Sequence, residues 1–410
     1  MNITAAGRPF PARKLAGRWL LLGTACLLSS VLVATPLHAQ TVLTTGTPAD
    51  VGMSAAVLEG AVGLYREAVA SGELVGAVLL VARNGRVVVH EAIGQRDWQR
   101  NLPMERNTMF RMASNTKPVV ATAIAMLVER GQLRYDDHVR KYIPAFDNYR
   151  AGFITVGQLL SHTSGLRIPT LFLEPYTTGS GPDGRPNLQT EVAKFGAVGA
   201  VFPPPAAYGY SNPGYNTLGA VIEVVSGRPL EVFLRDEIYR PLGMKDSYHL
   251  ETAEHLGGKL NRMGAVYYSR DENGRWVPGW RPGDPPQVPF VRASGGMIST
   301  AWDYAIFLQT HLNGGTYGNT QLIAPQSVRT MTARQTPADG TAYGYGWRLE
   351  DGGVFSHGGS DGTNAWVDPE RGIIGIVLTQ TPRGRNPVQR FRQLVNLAIE
   401  DAPRRAAQEQ

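Results

Sequence analysis

The apolar positions of this chain change their period several times, and each change predicts an element. From Ser54 to Ala70 they recur every three to four residues, at Val57, Ala61, Leu64, Tyr65 and Ala68, which predicts an amphipathic helix with the Ser54 hydroxyl at its N-cap. Two β-branched runs follow, Gly76 to Arg83 and Arg86 to Ile93, and the Asn84-Gly85 pair between them tolerates the positive φ values of a type I′ hairpin turn. From Thr116 to Arg130 the pattern is helical but apolar nearly all round, with Val119, Val120, Ala121, Ile124, Ala125, Met126, Leu127 and Val128, and it turns polar only at Glu129-Arg130 before Gly131. A helix without a polar face belongs in the interior.

Between Leu133 and Pro289 the pattern breaks into short helical segments, such as Thr155 to Ser161 and Leu218 to Val225, long loops and a Gly/Pro-rich stretch from Pro175 to Pro186. Strand periods return at Tyr343 to Leu349, Val354 to His357, Asn364 to Val367 and Ile373 to Thr379, and a helix from Pro387 to Ile399 follows them. The order predicts an α+β fold, an antiparallel sheet flanked by helices and built from both chain ends. Residues 45–132 and 290–400 form that sheet domain, 133–289 a mostly helical inserted domain, and 401–410 a polar, frayed tail.

Composition removes several functional classes. With 43% hydrophobic and 18% charged residues over 410 positions, the chain can build one large core or two smaller ones, and the aperiodic placement of its 47 Gly excludes a collagen-like chain. The net charge of +6 is concentrated at the amino terminus: the first 39 residues carry four basic and no acidic residues, leaving 36 basic against 34 acidic beyond them. No Lys/Arg run there exceeds a pair, so nucleic acid is not an expected partner. Residues 1–39 read as a cleavable signal peptide, basic through Arg18, apolar from Trp19 to Val33 and ending in Leu37-His38-Ala39, which predicts a periplasmic or secreted protein. The apolar run falls short of the roughly 20 residues that span a bilayer, so no stable membrane span is expected after cleavage. Cys26, the only cysteine, lies in that run, and Gly23-Thr24-Ala25 before it lacks the large apolar residue of a lipidation signal. The mature chain then has no thiol for a disulfide, a nucleophile or a zinc site.

Three short motifs carry candidate chemistry. With 17 Ser and six Lys in the chain, a serine followed three residues later by lysine is expected by chance about 0.25 times. It occurs once, at Ser114-Asn115-Thr116-Lys117, at the amino end of the apolar helix, where the spacing puts both side chains on one face. A hydroxyl at a helix start meets unpaired N–H groups, and a lysine whose pKa burial lowers can take its proton; the alternative is an N-cap serine beside a surface lysine. Tyr210-Ser211-Asn212 lies in a loop held by Pro203-Pro204-Pro205 and Pro213. His357-Gly358-Gly359-Ser360 ends a strand whose glycines let a substrate lie against the backbone, or form a tight strand-end turn.

In this order, with Ser114, Tyr210 and His357 separated by 96 and then 147 residues, the motifs resemble those of the class C β-lactamase superfamily, which includes family VIII esterases and D-amino-acid peptidases. The likeness extends to Leu159-Leu160-Ser161-His162-Thr163-Ser164-Gly165-Leu166, Pro241-Leu242-Gly243-Met244 and Tyr343-Gly344-Tyr345-Gly346-Trp347. It implies a β-lactamase/transpeptidase-like fold and a serine hydrolase working through an acyl-enzyme without cofactor. Ser114 is then the nucleophile, Lys117 and Tyr210 share the proton work, Asn212 orients the substrate, His357, Gly358 and Gly359 line the pocket, and the N–H groups of Ser114 and Ser360 form the oxyanion hole. A cation near the phenol is expected to lower its pKa, and a phenolate near the lysine to raise that of the ammonium.

Gly358-Gly359-Ser360-Asp361-Gly362 also matches the nucleophile elbow of α/β-hydrolases, but that fold needs a histidine after the serine, and none of the eight histidines follows Ser360. No histidine pair has the spacing of a zinc helix, so no metal is expected, and His162 reads as a packing residue. Class C β-lactamases resemble one another in having Lys-Thr-Gly at the third motif; a histidine there, mostly neutral near pH 7, favours uncharged esters or amides over anionic β-lactams. The expected partner is therefore a small ester, with a β-lactamase or a D-amino-acid peptidase or amidase as alternatives. From another class comes a receptor that β-lactams or muropeptides acylate without turnover.

Overall fold

The computed structural model describes residues 41–166 and 186–408, with side chains as far as Ile399. The expected signal peptide of residues 1–39, Cys26 with it, and all but the last residue of the Pro175–Pro186 stretch lie outside the described residues. Helix α1 (Ala55–Ala70) starts where the Ser54 hydroxyl accepts the Val57 N–H at 3.5 Å, and it buries Leu58, Ala61, Val62, Tyr65 and Ala68. Strands β2 (Gly76–Arg83) and β3 (Arg86–Asp97) follow a short β1 (Thr44–Thr45) and form the predicted hairpin. Asn84 and Gly85 between them have φ of 49° and 78°, the left-handed pair that a type I′ turn requires. β3 continues past Ile93 because its far end pairs with Leu102–Pro103.

The other half of the sheet comes from the carboxyl end: β4 (Arg348–Leu349), β5 (Phe355–Gly359), β6 (Thr363–Asp368) and β7 (Ile373–Thr379). The order is β1-β3-β2-β7-β6-β5-β4, so the two chain ends meet in the central β2–β7 pair, where Leu80 faces Ile376. The sheet is mixed, not wholly antiparallel as expected, because β1 runs parallel to β3. The predicted strand from Tyr343 is also shorter. Only Arg348–Leu349 pairs with β5, since Gly346, at φ 83°, turns the chain against Pro118 and Ala121.

Alternation along β2 divides the core. Val78, Leu80 and Ala82 face one side, together with helix α2 (Thr116–Glu129) and helix α4 (Ala301–Leu312). Ala77, Leu79 and Val81 face the other, against α1 and Phe391, Val395 and Ala398 of helix α5 (Val388–Gln408). The backbone of α5 is helical as far as Gln408, past the expected end at Ile399. Helix α3 (Asn212–Ser226) packs against α2. Of α2, every residue from Thr116 to Leu127 is buried, Lys117 included, which matches its apolar pattern.

Candidate active site

Ser114 sits in a one-turn 3₁₀ segment, Ala113–Asn115, that runs directly into α2. Ala113 holds φ 46°, a left-handed conformation costly for a residue with a side chain, so the turn presenting Ser114 is held there by its surroundings. Two of those supports are visible: the Thr363 hydroxyl donates to Met112 O at 2.9 Å, and Asn115 Nδ2 donates to Thr363 Oγ1 at 2.9 Å. Both join the turn to β6.

Lys117 is fully buried, and its Nζ lies 2.7 Å from Asn212 Oδ1, 2.7 Å from Ser294 O and 3.0 Å from Ser114 Oγ. Burial, aided by the positive charge of Arg292, holds its pKa well below the ordinary lysine range. A neutral amine has two donors and one lone pair. Asn212 Oδ1 and Ser294 O can only accept, so they take both donors of the neutral amine and leave its lone pair for the side of Ser114 Oγ. Of the two alternatives left open by the sequence, the surface lysine is excluded.

Tyr210 closes the arrangement from the opposite side. Lys117 Nζ lies 4.6 Å from its ring centroid, and its phenol hydrogen-bonds Ser114. Tyr210 as a whole residue is 42% exposed, yet burial of its phenol dominates and pushes its pKa up, with the Ser114 bond and the Arg348 charge opposing this. The expected net lowering by a neighbouring cation is therefore corrected: the Ser114 bond and the Arg348 charge lower the phenol pKa, but burial outweighs them.

Three residues place this phenol. Ser211 caps α3, its hydroxyl accepting the Gly214 N–H at 3.1 Å, and Pro213 occupies the first turn, so Asn212 opens the helix instead of sitting in a loop. The sequence places this tripeptide in a loop and starts the helix only at Leu218, because Ser211 with Pro213 at a helix start looks the same as a proline-held loop. His162, at φ 61°, accepts the Gly209 N–H on its carbonyl at 2.9 Å and the Ser211 N–H on Nδ1 at 3.1 Å. Its ring lies 4.5 Å from that of Tyr210, and burial keeps it neutral. It is a packing residue that brackets the segment carrying Tyr210.

Gly359 of β5 is where the third motif meets the serine turn. A Cβ there would stand 2.5 Å from Met112 O and 2.2 Å from Thr363 Oγ1, so only glycine allows this approach. Gly358 has more room, and Ser360 lies at the exposed tip of the turn closed by Gly362 N–H to Gly359 O at 3.1 Å. His357 is buried; its Nε2 accepts the Tyr343 hydroxyl at 2.9 Å, its Nδ1 donates to Gly358 O at 2.8 Å, and burial brings its pKa down to about 3. The third motif therefore carries no positive charge at neutral pH. Beside it, Tyr208, Tyr210, Tyr343, His357 and Arg348 line a cavity of about 520 Å³.

Sequence reasoning did not single out Ser294, whose contribution is a backbone carbonyl and leaves no side-chain signature, or Tyr343 as the partner of His357. Among the described residues no group of three or more His, Cys, Asp or Glu is placed to hold a metal, and no helix is long and apolar enough to cross a membrane.

A serine primed by a neutral amine is the working part of a serine hydrolase, and comparison with known proteins agrees on that class. The Beta-lactamase family model matches residues 62–398, and the chain belongs to that family. Esterase EstB of Burkholderia gladioli is 34% identical over 193 residues, covering 45% of this chain and 49% of its own. A putative D-alanyl-D-alanine carboxypeptidase of Escherichia coli K12 is 25% identical over 74% of this chain and 78% of its own. Among solved structures, EstCE1, described as a hydrolase with promiscuous acyltransferase activity, superposes with a TM-score of 0.68 at 23% identity, covering 84% of this chain and 98% of its own, a likeness of fold.

Proposed function

We propose that the protein is an exported carboxylesterase that cleaves small uncharged esters through an acyl-enzyme on Ser114. The observation that carries this is the neutral Lys117 amine 3.0 Å from the Ser114 hydroxyl. As Ser114 Oγ attacks the carbonyl carbon, its proton passes to Lys117 Nζ, and the carbonyl oxygen becomes an oxyanion received by the N–H groups of Ser114 and Ser360. The leaving alkoxide takes a proton from the Tyr210 phenol, and Lys117 Nζ, lying over the Tyr210 ring, passes the proton it took from Ser114 directly to the phenolate. Water then attacks the acyl-enzyme along the same relay, returning the Ser114 hydroxyl and releasing the acid. Neutral His357, locked by Tyr343, supports the choice of an uncharged substrate. Export rests on the amino-terminal pattern of residues 1–39, and amino-terminal sequencing of the exported protein tests it.

A second reading, a D-amino-acid peptidase, draws on Arg348, an exposed guanidinium at the cavity wall suited to a substrate carboxylate. The test is one rate comparison on the purified chain and on Ser114→Ala, with a short p-nitrophenyl ester, a chromogenic cephalosporin and a D-alanyl peptide. The ester is expected to turn over fastest, with Ser114→Ala losing turnover and fluorophosphonate labelling. Full activity in Ser114→Ala removes the mechanism, and a faster peptide or cephalosporin moves the substrate class. A stoichiometric burst without steady-state release would favour a receptor.

A further inference from the structure

Two segments must meet for the oxyanion hole just described to exist, one carrying the Ser114 N–H and the other the Ser360 N–H. Arg111 stands three residues before Ser114, on the short strand Phe110–Arg111, and Asp361 directly follows Ser360. Their side chains form an ion pair, Nε to Oδ2 at 3.0 Å, with only 4% and 8% of each exposed. Arg111 Nε also lies 3.2 Å from Glu251 Oε1, and its Nη2 donates to Gln287 Oε1 at 2.8 Å. The Tyr268 hydroxyl donates to Asp361 Oδ1 at 3.1 Å, and the Trp280 ring lies under the guanidinium at 5.5 Å.

Withdrawing two charges from water costs about as much as their attraction returns, so such a pair is a poor stabiliser, and its worth lies in geometry. The base of the Gly359–Gly362 turn is already held by the contact of Gly359 with Met112 and by the Thr363–Met112 hydrogen bond. Its tip is not: Ser360 is exposed, and its own hydroxyl reaches only Asp361 at 3.5 Å. Asp361 is what ties the tip to the strand that enters the serine turn. We propose that Arg111 and Asp361 are positioning residues whose ion pair sets the Ser360 N–H against the Ser114 N–H, so that both donors reach one oxyanion. The proposal rests on the acyl-enzyme reading above.

The test uses the purified protein, with kinetics on a short p-nitrophenyl ester and the affinity of an alkyl boronic acid, whose tetrahedral serine adduct puts an oxygen in the oxyanion hole. Asp361→Asn and Arg111→Gln are each expected to lower kcat by about 10- to 100-fold, the scale of one misplaced donor, and to weaken the boronic acid by a similar factor. KM should stay within about threefold, and the double variant should be no worse than either single, since both break one device. Arg111→Lys, which keeps the charge, should recover part of the loss and serves also if the bolder variants fold poorly. Unchanged boronic acid affinity per active site alongside a lowered kcat overturns the proposal, as do single losses that multiply in the double variant. Wild-type kinetics in Asp361→Asn with Ser114→Ala inactive would end this inference alone, whereas an active Ser114→Ala would end the reading beneath it.

Discussion

At the scale of the residue, the proposed chemistry depends on Lys117 losing its proton inside the fold. Its pKa lies well below the ordinary value because burial strips water from the ammonium and Arg292 adds like charge, while Ser114, Tyr210, Tyr215, Asn212, His162 and His357 around it bring no anion. Activity should therefore persist at pH values far below 10.5 and fall as pH drops through the depressed pKa, when the amine takes up a proton and can no longer accept one from Ser114. The same shift has a stability consequence of fixed sign. Between the depressed folded pKa and the unfolded value, the unfolded chain binds a proton that the native protein does not, so this group adds to stability as pH rises and stops adding above the unfolded value. Subtracting the urea-unfolding free energy of Lys117→Met from that of the wild type isolates this contribution. The difference should climb by about 1.4 kcal/mol per pH unit inside the window. A flat difference would mean that the lysine stays charged in the fold, and the base would have to be sought elsewhere.

At the scale of the element, the parts most legible in the sequence were those specified by their own residues. The Ser54 cap and the three-to-four spacing set α1, Asn84-Gly85 set the hairpin, and an all-apolar pattern placed α2 in the core with Ser114 and Lys117 one turn apart. What was not legible depended on distant partners: β3 runs on to Asp97 because Leu102–Pro103 meets it, and the Tyr343 strand shrinks because Gly346 turns it against α2. The third motif shows both kinds at once. Its glycines were visible as a place where backbone could be approached, but the group approaching Gly359 is the Met112 carbonyl of the serine turn, not only a substrate. Gly359→Ala would place a methyl 2.5 Å from that carbonyl and 2.2 Å from Thr363 Oγ1, so β5 must shift away from Ser114. Since the proposed oxyanion donor follows directly at Ser360, kcat should fall by at least about 100-fold with much less effect on unfolding. Steady-state kinetics beside urea unfolding checks this, and a fully active Gly359→Ala would show that β5 has more freedom than its contacts with Met112 and Thr363 imply.

At the scale of the whole molecule, the sheet divides the core into two layers, and the serine and its lysine belong to one of them. Both chain ends had to be read together to see it, since β2 from the amino half and β7 from the carboxyl half form its centre. One face carries α2, and with it Ser114 and Lys117; the other carries α1 and α5, which hold none of the three motifs, while Val388, Gln389 and Arg392 at the start of α5 line the cavity beside His357. Phe391 of α5 is fully buried on that second face, its ring 5.5 Å from Tyr65 of α1 and 6.2 Å from Trp366 of β6, so it joins both helices to the sheet. Truncating it leaves a cavity that the rigid strands beneath cannot close. Phe391→Ala should therefore cost about 3 to 5 kcal/mol in urea unfolding, the usual range for an emptied aromatic site. If the sheet insulates its two faces, the molecules that remain folded should turn over ester at the wild-type kcat and KM, counted against active sites titrated with fluorophosphonate. A loss of kcat per titrated site would show instead that β6, which holds Trp366 on one side and supplies Thr363 to the serine turn, transmits the cavity to Ser114. A cost below about 1 kcal/mol would mean that the α1–α5 layer is not where this fold keeps its stability.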